Sequence, residues 1–178
     1  MSPISFDHAL VVGGSGMLAG CSRRLLRVCK TVTVMARNES RIRAIAPEIV
    51  PFVGDYSAHI AGAALGGLSP DLLVAWVHGR LPDFRRALAK CVRAGGRFVQ
   101  VLGSAHGDPS RPERLAEMQS MADGLPVFYQ AVVLGFVVQG ARSRWLTDDE
   151  ISQGVFGAIE SRAPLCVVGT VEPWSARP

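Results

Sequence analysis

The chain has 178 residues, 48% of them hydrophobic and 19% charged, with a formal net charge of +4. That is enough apolar material for one well-buried domain, and it argues against a disordered or tail-dominated protein. The 19 basic residues include only two lysines, Lys30 and Lys90, and are scattered along the chain; this argues against a nucleic-acid-binding stripe and suits a small anionic ligand at least as well.

No apolar run is long enough to span a bilayer. Leu18-Ala19-Gly20-Cys21 has the look of a lipoprotein cleavage box, but the segment before it lacks Lys or Arg, contains Asp7 and is interrupted by glycines. A cytoplasmic protein is the expectation. Cys21, Cys29, Cys91 and Cys166 show no metal or C-x-x-C spacing and read as buried free thiols in a reducing compartment. No metal site is expected.

Strands are predicted over residues 9–12, 31–35, 49–53, 72–77, 97–102, 127–138 and 165–171. Most are near-continuous apolar runs, as parallel strands covered on both faces should be. The first is followed by the glycine turn Gly13-Gly14-Ser15-Gly16 and a helix with apolar Met17, Leu18, Leu25, Leu26 and Val28. Cys21 and Cys29 fall on that helix. Further helices are predicted over 40–45, 59–68, 82–92 and 113–122, the third with Pro82 in its first turn and Gly95-Gly96 beyond its end. The last helix opens on the capping box Thr147-Asp148-Asp149-Glu150 and runs to about Ser161, before Pro164 starts the final strand. This alternation predicts a doubly wound α/β fold across the whole chain, with about seven mostly parallel strands and helices on both faces.

Gly14-x-Gly16-x-x-Ala19 fits a dinucleotide fingerprint, and Gly13-x-x-Gly16-x-x-Ala19 fits its wider-spaced relative. The required strand precedes the motif and the required helix follows it. Glycines let the chain turn sharply and let bare amides approach a pyrophosphate. The turn residues Gly13, Gly14, Ser15, Gly16, Met17 and Leu18 are therefore candidate cofactor ligands. The second strand ends in Met35-Ala36-Arg37-Asn38, and no carboxylate precedes Glu39. A NAD-preferring site places an acidic residue about here for the ribose hydroxyls. Arg37, assisted by Asn38 or Arg41, would instead clamp a 2′-phosphate, so NADP is expected over NAD.

Residues 8 to about 104 resemble the short-chain dehydrogenase/reductase superfamily, in particular its small, atypical bacterial members with an extended-type glycine motif. The resemblance rests on VVGGSGMLAG, VMARN, Val53-Gly54-Asp55-Tyr56 and the VLGS end of the fifth strand. It implies that Asp55 and Tyr56 border the adenine, and that Ala75 to His78, Trp76 included, line the nicotinamide-ribose side. Ser104 would take the place of the superfamily's active-site serine.

The chain departs from that superfamily at its proton relay, a Tyr-x-x-x-Lys pair. Tyr56 is followed four residues on by Ile60 and Tyr129 by Val133, and neither lysine stands in the right place. His78 and His106, at the predicted carboxyl ends of strands four and five, are the candidate replacements, since histidine can donate a proton near neutral pH. His8 and His59 read as structural. The expectation is an NADP-dependent oxidoreductase acting by hydride transfer on a small ketone, enone or imine, its pocket small or completed in a homo-oligomer. The alternative is a non-catalytic NADP-binding sensor or regulatory protein.

Overall fold

The computed structural model describes residues 4–55, 65, 67–79, 81–140 and 142–178. Strands β1 (Phe6–Val12), β2 (Cys29–Ala36), β3 (Val50–Val53), β4 (Leu72–Trp76), β5 (Arg97–Leu102), β6 (Phe128–Leu134) and β9 (Leu165–Val168) form one seven-stranded sheet. All its pairings are parallel, in the order β3-β2-β1-β4-β5-β6-β9. The order reverses between β1 and β4, which leaves a crevice outside their carboxyl ends. This is the doubly wound arrangement that the alternation of elements predicts.

Successive strand residues face opposite sides, so each strand feeds two cores. Ala9, Val11, Leu72, Val74, Val99 and Val101 pack with Leu25 of α1 (Ala19–Leu25), Ile42 of α2 (Glu39–Arg43) and Ile151, Val155 and Ile159 of α5 (Asp148–Ser161). On the other face Leu10, Val12, Leu73, Ala75 and Phe98 meet Phe84, Leu88 and Ala89 of α3 (Pro82–Cys91). Met118 of α4 (Glu113–Gln119) covers Leu102, Ala131 and Val133 on that same side.

Helix α5 is secured at both ends. The Thr147 hydroxyl accepts from the Glu150 amide at 3.3 Å, and the Glu150 carboxylate accepts from the Thr147 amide at 2.8 Å. At its carboxyl end, Gln130 Nε2 donates to the carbonyls of Ala158 and Ala163 at 2.7 Å, and the Arg97 guanidinium donates to that of Ile159. Two polar side chains inside buried strands thus donate to carbonyls at and just past the helix end, where intrahelical donors run out.

Residues 127–138 are not one strand. A Cβ on Gly135 would lie 2.0 Å from the Thr170 carbonyl oxygen, so only glycine lets the two segments touch there. Phe136 then exchanges backbone hydrogen bonds with Thr170 at 2.8 and 2.9 Å. The chain next leaves the sheet as an antiparallel hairpin of β7 (Phe136–Gln139) and β8 (Arg142–Trp145). The hairpin escapes the periodicity reading because Arg142-Ser143-Arg144-Trp145 has no apolar alternation. Cys29 opens β2 rather than lying on α1. The helix expected over 59–68 falls largely outside the described residues, as do Tyr56 and His59; Leu65 is buried. No helix among the described residues is long and apolar enough to cross a membrane.

Candidate functional site

A cleft of about 390 Å³ opens at the carboxyl edge of the sheet, above the β1/β4 reversal. Its walls are Gly13, Ser15, Gly16 and Met17 after β1, Arg37, Asn38 and Arg41 after β2, Gly54 after β3, and Trp76 and His78 at the end of β4. Residues singled out from the sequence therefore share one cavity: Gly13, Ser15, Gly16, Met17, Arg37, Asn38, Arg41, Trp76 and His78. Gly14 and Leu18 are buried beneath it. Asp55 follows Gly54 beyond the lining, and Tyr56 lies outside the described residues.

The glycines divide the work differently from the sequence expectation. Gly13 has φ +75°, and a Cβ on it would stand 2.7 Å from the Trp76 carbonyl oxygen; it makes both the turn and the β1–β4 contact. A Cβ on Gly14 would meet Val11, the Ser22 hydroxyl and Val34 within 3.0 Å, so Gly14 is a packing residue. Gly16 faces open space, with nothing within 4 Å of its Cβ position. Ala19 packs against the core, and Gly20 lets α1 approach α5, since a Cβ on it would come 3.0 Å from Ser152. The Ser152 hydroxyl also donates to the Met17 carbonyl at 2.7 Å, tying the turn to that helix.

Asn38 caps α2: its side-chain oxygen accepts from the Arg41 amide at 3.1 Å and from the Ser40 hydroxyl at 2.6 Å. The nearest carboxylate in sequence, Glu39, is engaged by Arg43 at 2.7 Å. Among the described residues no carboxylate pairs with Arg37 or Arg41, so the far end of the cleft is cationic.

Trp76 separates this cleft from a second pocket of about 260 Å³, lined by Trp76, Gly103, Ser104, Leu134, Gly135, Trp145, Leu146 and Ile151. The hairpin and the start of α5 supply its roof, with Arg144 fixed to Glu150 by paired hydrogen bonds of 2.8 and 2.9 Å. The chain after β9 returns over this region. Arg177 Nε donates to Ser104 Oγ at 3.0 Å, and its guanidinium lies 5.0 Å from the Trp145 ring centre and 5.3 Å from that of Trp174. The sequence marks the tail as aromatic but offers no way to see that it reaches Ser104, 73 residues away.

The two candidate histidines differ. His78 is exposed, and its Nε2 accepts from the Trp76 indole N–H at 2.7 Å. Arg85 donates to the carbonyls of Val77 and Gly79 at 2.7 and 2.9 Å, holding the segment that carries His78. His106 sits in a 3₁₀ turn with Ser104, its Nδ1 3.2 Å from the Gly103 carbonyl, outside the lining of either pocket. Burial holds the His106 pKa below the usual histidine value, against the opposing effect of that carbonyl. Tyr129, at the start of β6, donates to Gln100 at 2.8 Å, and burial pushes its phenol pKa well up. His8 bridges Leu68 and Thr33 at 3.1 and 2.9 Å, a structural role.

A cavity of about 440 Å³ lies at the opposite, amino edge of the sheet, between Phe6, Arg93, Arg97, Phe128 and Arg162. Arg97 there caps α5 and lies against the rings of Phe6 and Phe128, which accounts for it as architecture. Among the described residues no group of three His, Cys, Asp or Glu could hold a metal.

Fold and cleft define a doubly wound, Rossmann-like α/β protein with its cavity at the topological switch point. No family model matches the chain and no curated protein matches its sequence. Solved structures do match. A short-chain dehydrogenase from Burkholderia cenocepacia in complex with NADP superposes with a TM-score of 0.71 at 18% identity, over 96% of this chain and 91% of that one. The bulky-bulky ketone specific alcohol dehydrogenase from Comamonas testosteroni gives 0.68 at 14% identity, over 98% and 90%. A metagenomic short-chain oxidoreductase in complex with NADP gives 0.65 at 19% identity, over 95% and 98%. The structural neighbours are short-chain dehydrogenases/reductases, and at these identities what this chain shares with them is the fold.

Proposed function

We propose that the chain is an NADP-dependent oxidoreductase that acts by hydride transfer on a small ketone, enone or imine. The observation that carries this reading is the cationic end of the cleft: Arg37 and Arg41 face it without a carboxylate partner among the described residues, while Glu39 is held by Arg43. The other end also fits a dinucleotide, because Gly16 leaves open the space a Cβ would fill. The fold neighbours solved with NADP support the same cofactor.

In this reading the turn through Leu18 offers backbone amides to the pyrophosphate, apart from that of Gly13, which already donates to the Met35 carbonyl at 2.9 Å; Arg37 forks around the 2′-phosphate with Asn38 and Arg41 beside it. When bound, the reduced nicotinamide supplies the hydride, two electrons and a hydrogen nucleus, to the electrophilic carbon. The substrate's heteroatom, or the α-carbon of an enone, takes up a proton from water. Trp76 forms the wall between the cofactor cleft and the substrate pocket, and Ser104 directs its hydroxyl at the reacting oxygen or nitrogen. His78 can carry a proton toward substrate only on Nδ1 while Nε2 accepts from Trp76. His106 acts from outside the lining, by shaping the turn that presents Ser104.

The missing Tyr-x-x-x-Lys pair favours a second reading, an NADP-binding sensor or regulatory protein without turnover. One experiment separates the two. Calorimetry with NADPH and NADH should show tighter NADPH binding, and absorbance should then report NADPH oxidation with a panel of ketones, enones and imines. Binding without turnover on any of them leaves the sensor; no heat with either nucleotide removes both readings.

A further inference from the structure

We propose that the pocket beside Ser104 takes a substrate bearing a carboxylate on a short apolar body, and that Arg177 holds that carboxylate. The proposal deepens the oxidoreductase reading and rests on it for the chemistry, but not for the binding. The tail holds its arginine in one place: Nε on the Ser104 hydroxyl, and the guanidinium plane flanked by Trp145 and Trp174. Arg177 is exposed as a residue, so these contacts tether the side chain without enclosing it.

Among the described residues no carboxylate pairs with that guanidinium. The carboxylates that form ion pairs among the described residues are Asp7, Asp71, Glu39, Asp149 and Glu150, and their partners are Lys30, Arg93, Arg43, Arg24 and Arg144. With Nε spent on Ser104, both terminal nitrogens of Arg177 remain for a ligand, in the planar fork that matches a carboxylate. One guanidinium and one hydroxyl suit a monoanion better than a phosphate dianion.

Arg177 stands outside the lining of the pocket and touches two of its wall residues, Ser104 and Trp145; apart from Ser104 the lining side chains are apolar. Trp76, Leu134, Leu146 and Ile151 line a volume of about 260 Å³, below the roughly 300–1,000 Å³ of pockets for drug-sized ligands. Ser104 is buried to 7% exposure. Since its oxygen accepts from Arg177, its own O–H is free to point at a second acceptor. An oxo acid with a short branched side chain meets every feature: carboxylate on Arg177, oxo oxygen on Ser104, hydrocarbon against Leu134 and Ile151.

The test is a fluorescence titration, since Trp145 and Trp174 flank the guanidinium. The probes are 4-methyl-2-oxopentanoate and its methyl ester, each with and without saturating NADP, with circular dichroism showing that every variant folds. The intact chain should bind the acid at least about tenfold tighter than the ester, the ratio expected for one lost charge-assisted contact. Arg177→Gln should abolish that preference while leaving the ester unchanged, and Arg177→Lys should restore part of it. Equal affinity for acid and ester, an undiminished preference in Arg177→Gln, or no binding of either probe under either condition overturns the proposal. If NADP gives no heat but the acid still binds through Arg177, the carboxylate site stands and the oxidoreductase reading falls.

Discussion

The indole nitrogen of Trp76 donates to Nε2 of His78 across 2.7 Å, with the two rings edge to face at 5.0 Å. Trp76 is also the wall shared by the two pockets. His78 is thus first a tether: it fixes the rotamer of the residue that divides cofactor space from substrate space, and a ring protonated at Nε2 could no longer accept the bond.

Replacing the acceptor tests this. His78→Ala leaves the indole N–H to solvent and frees the ring, and one net hydrogen bond is worth about 1 kcal/mol, or about fivefold in affinity. NADPH titration should show a loss of that size in His78→Ala, with a shift in tryptophan emission. His78→Gln, which keeps an acceptor, should lose less. Unchanged affinity in His78→Ala would mean that Trp76 needs no tether.

Arg37 should decide between the two nicotinamide nucleotides. A charge-assisted hydrogen bond is worth about 1.5–3 kcal/mol, so Arg37→Glu should weaken NADPH binding by about 10- to 100-fold. NADH binding should hold or improve, because a carboxylate can accept from the free ribose hydroxyls. Calorimetry with both nucleotides reads the ratio, and a parallel loss for both would place Arg37 away from the 2′ position.

Two alanine substitutions in the glycine turn should part ways. Gly13→Ala places a methyl at φ +75° and 2.7 Å from the Trp76 carbonyl. A left-handed alanine alone costs about 1–2 kcal/mol, and each kcal/mol lowers the melting midpoint of a chain this long by about 2–4 °C. A fall of at least about 2 °C is expected, and more for the clash. Gly16→Ala has nothing within 4 Å to meet, so its midpoint should hold while nucleotide affinity drops. A Gly16→Ala variant that binds normally would show that no ligand closes on that turn.

The strand and helix alternation, the Thr147 capping box and the Arg97–Leu102 strand were legible because each has a local cause: an apolar run, a side chain reaching an amide three residues on, a Gly-Gly stop. Gathering Gly13, Arg37, Trp76 and His78 into one cleft was legible too, since parallel strands deliver all their carboxyl ends to one edge. What escaped depended on distant partners. Gly135 breaks its strand only because Thr170 comes within touching distance, and nothing near residue 135 says so. The packing role of Gly14 is set by Ser22 and Val34, that of Gly20 by Ser152, and Arg177 meets Ser104 only after the whole sheet is assembled.

Acid should act on the roof of the second pocket. The Arg144 guanidinium, with help from the Thr147 amide, holds the Glu150 pKa down to about 2 from an ordinary 4.5. In the unfolded chain Glu150 takes up its proton first as pH falls, so its stabilising effect is complete above about 4.5 and lost progressively toward 2. Melting midpoints of the intact chain and Glu150→Gln should differ most near neutrality and converge across that window. A gap that persists at the acid end would assign the effect to packing rather than charge.

Helix α5 reaches both cavities: its Ser152 grips the carbonyl of Met17, which lines one, while its Ile151 lines the other. The two chambers therefore share this strut as well as the Trp76 wall, and should loosen or stiffen in concert. Amide exchange around Met17 and along the Trp145 arm should slow together when either chamber is filled, giving the molecule a mechanical reason to sense one occupant through the other.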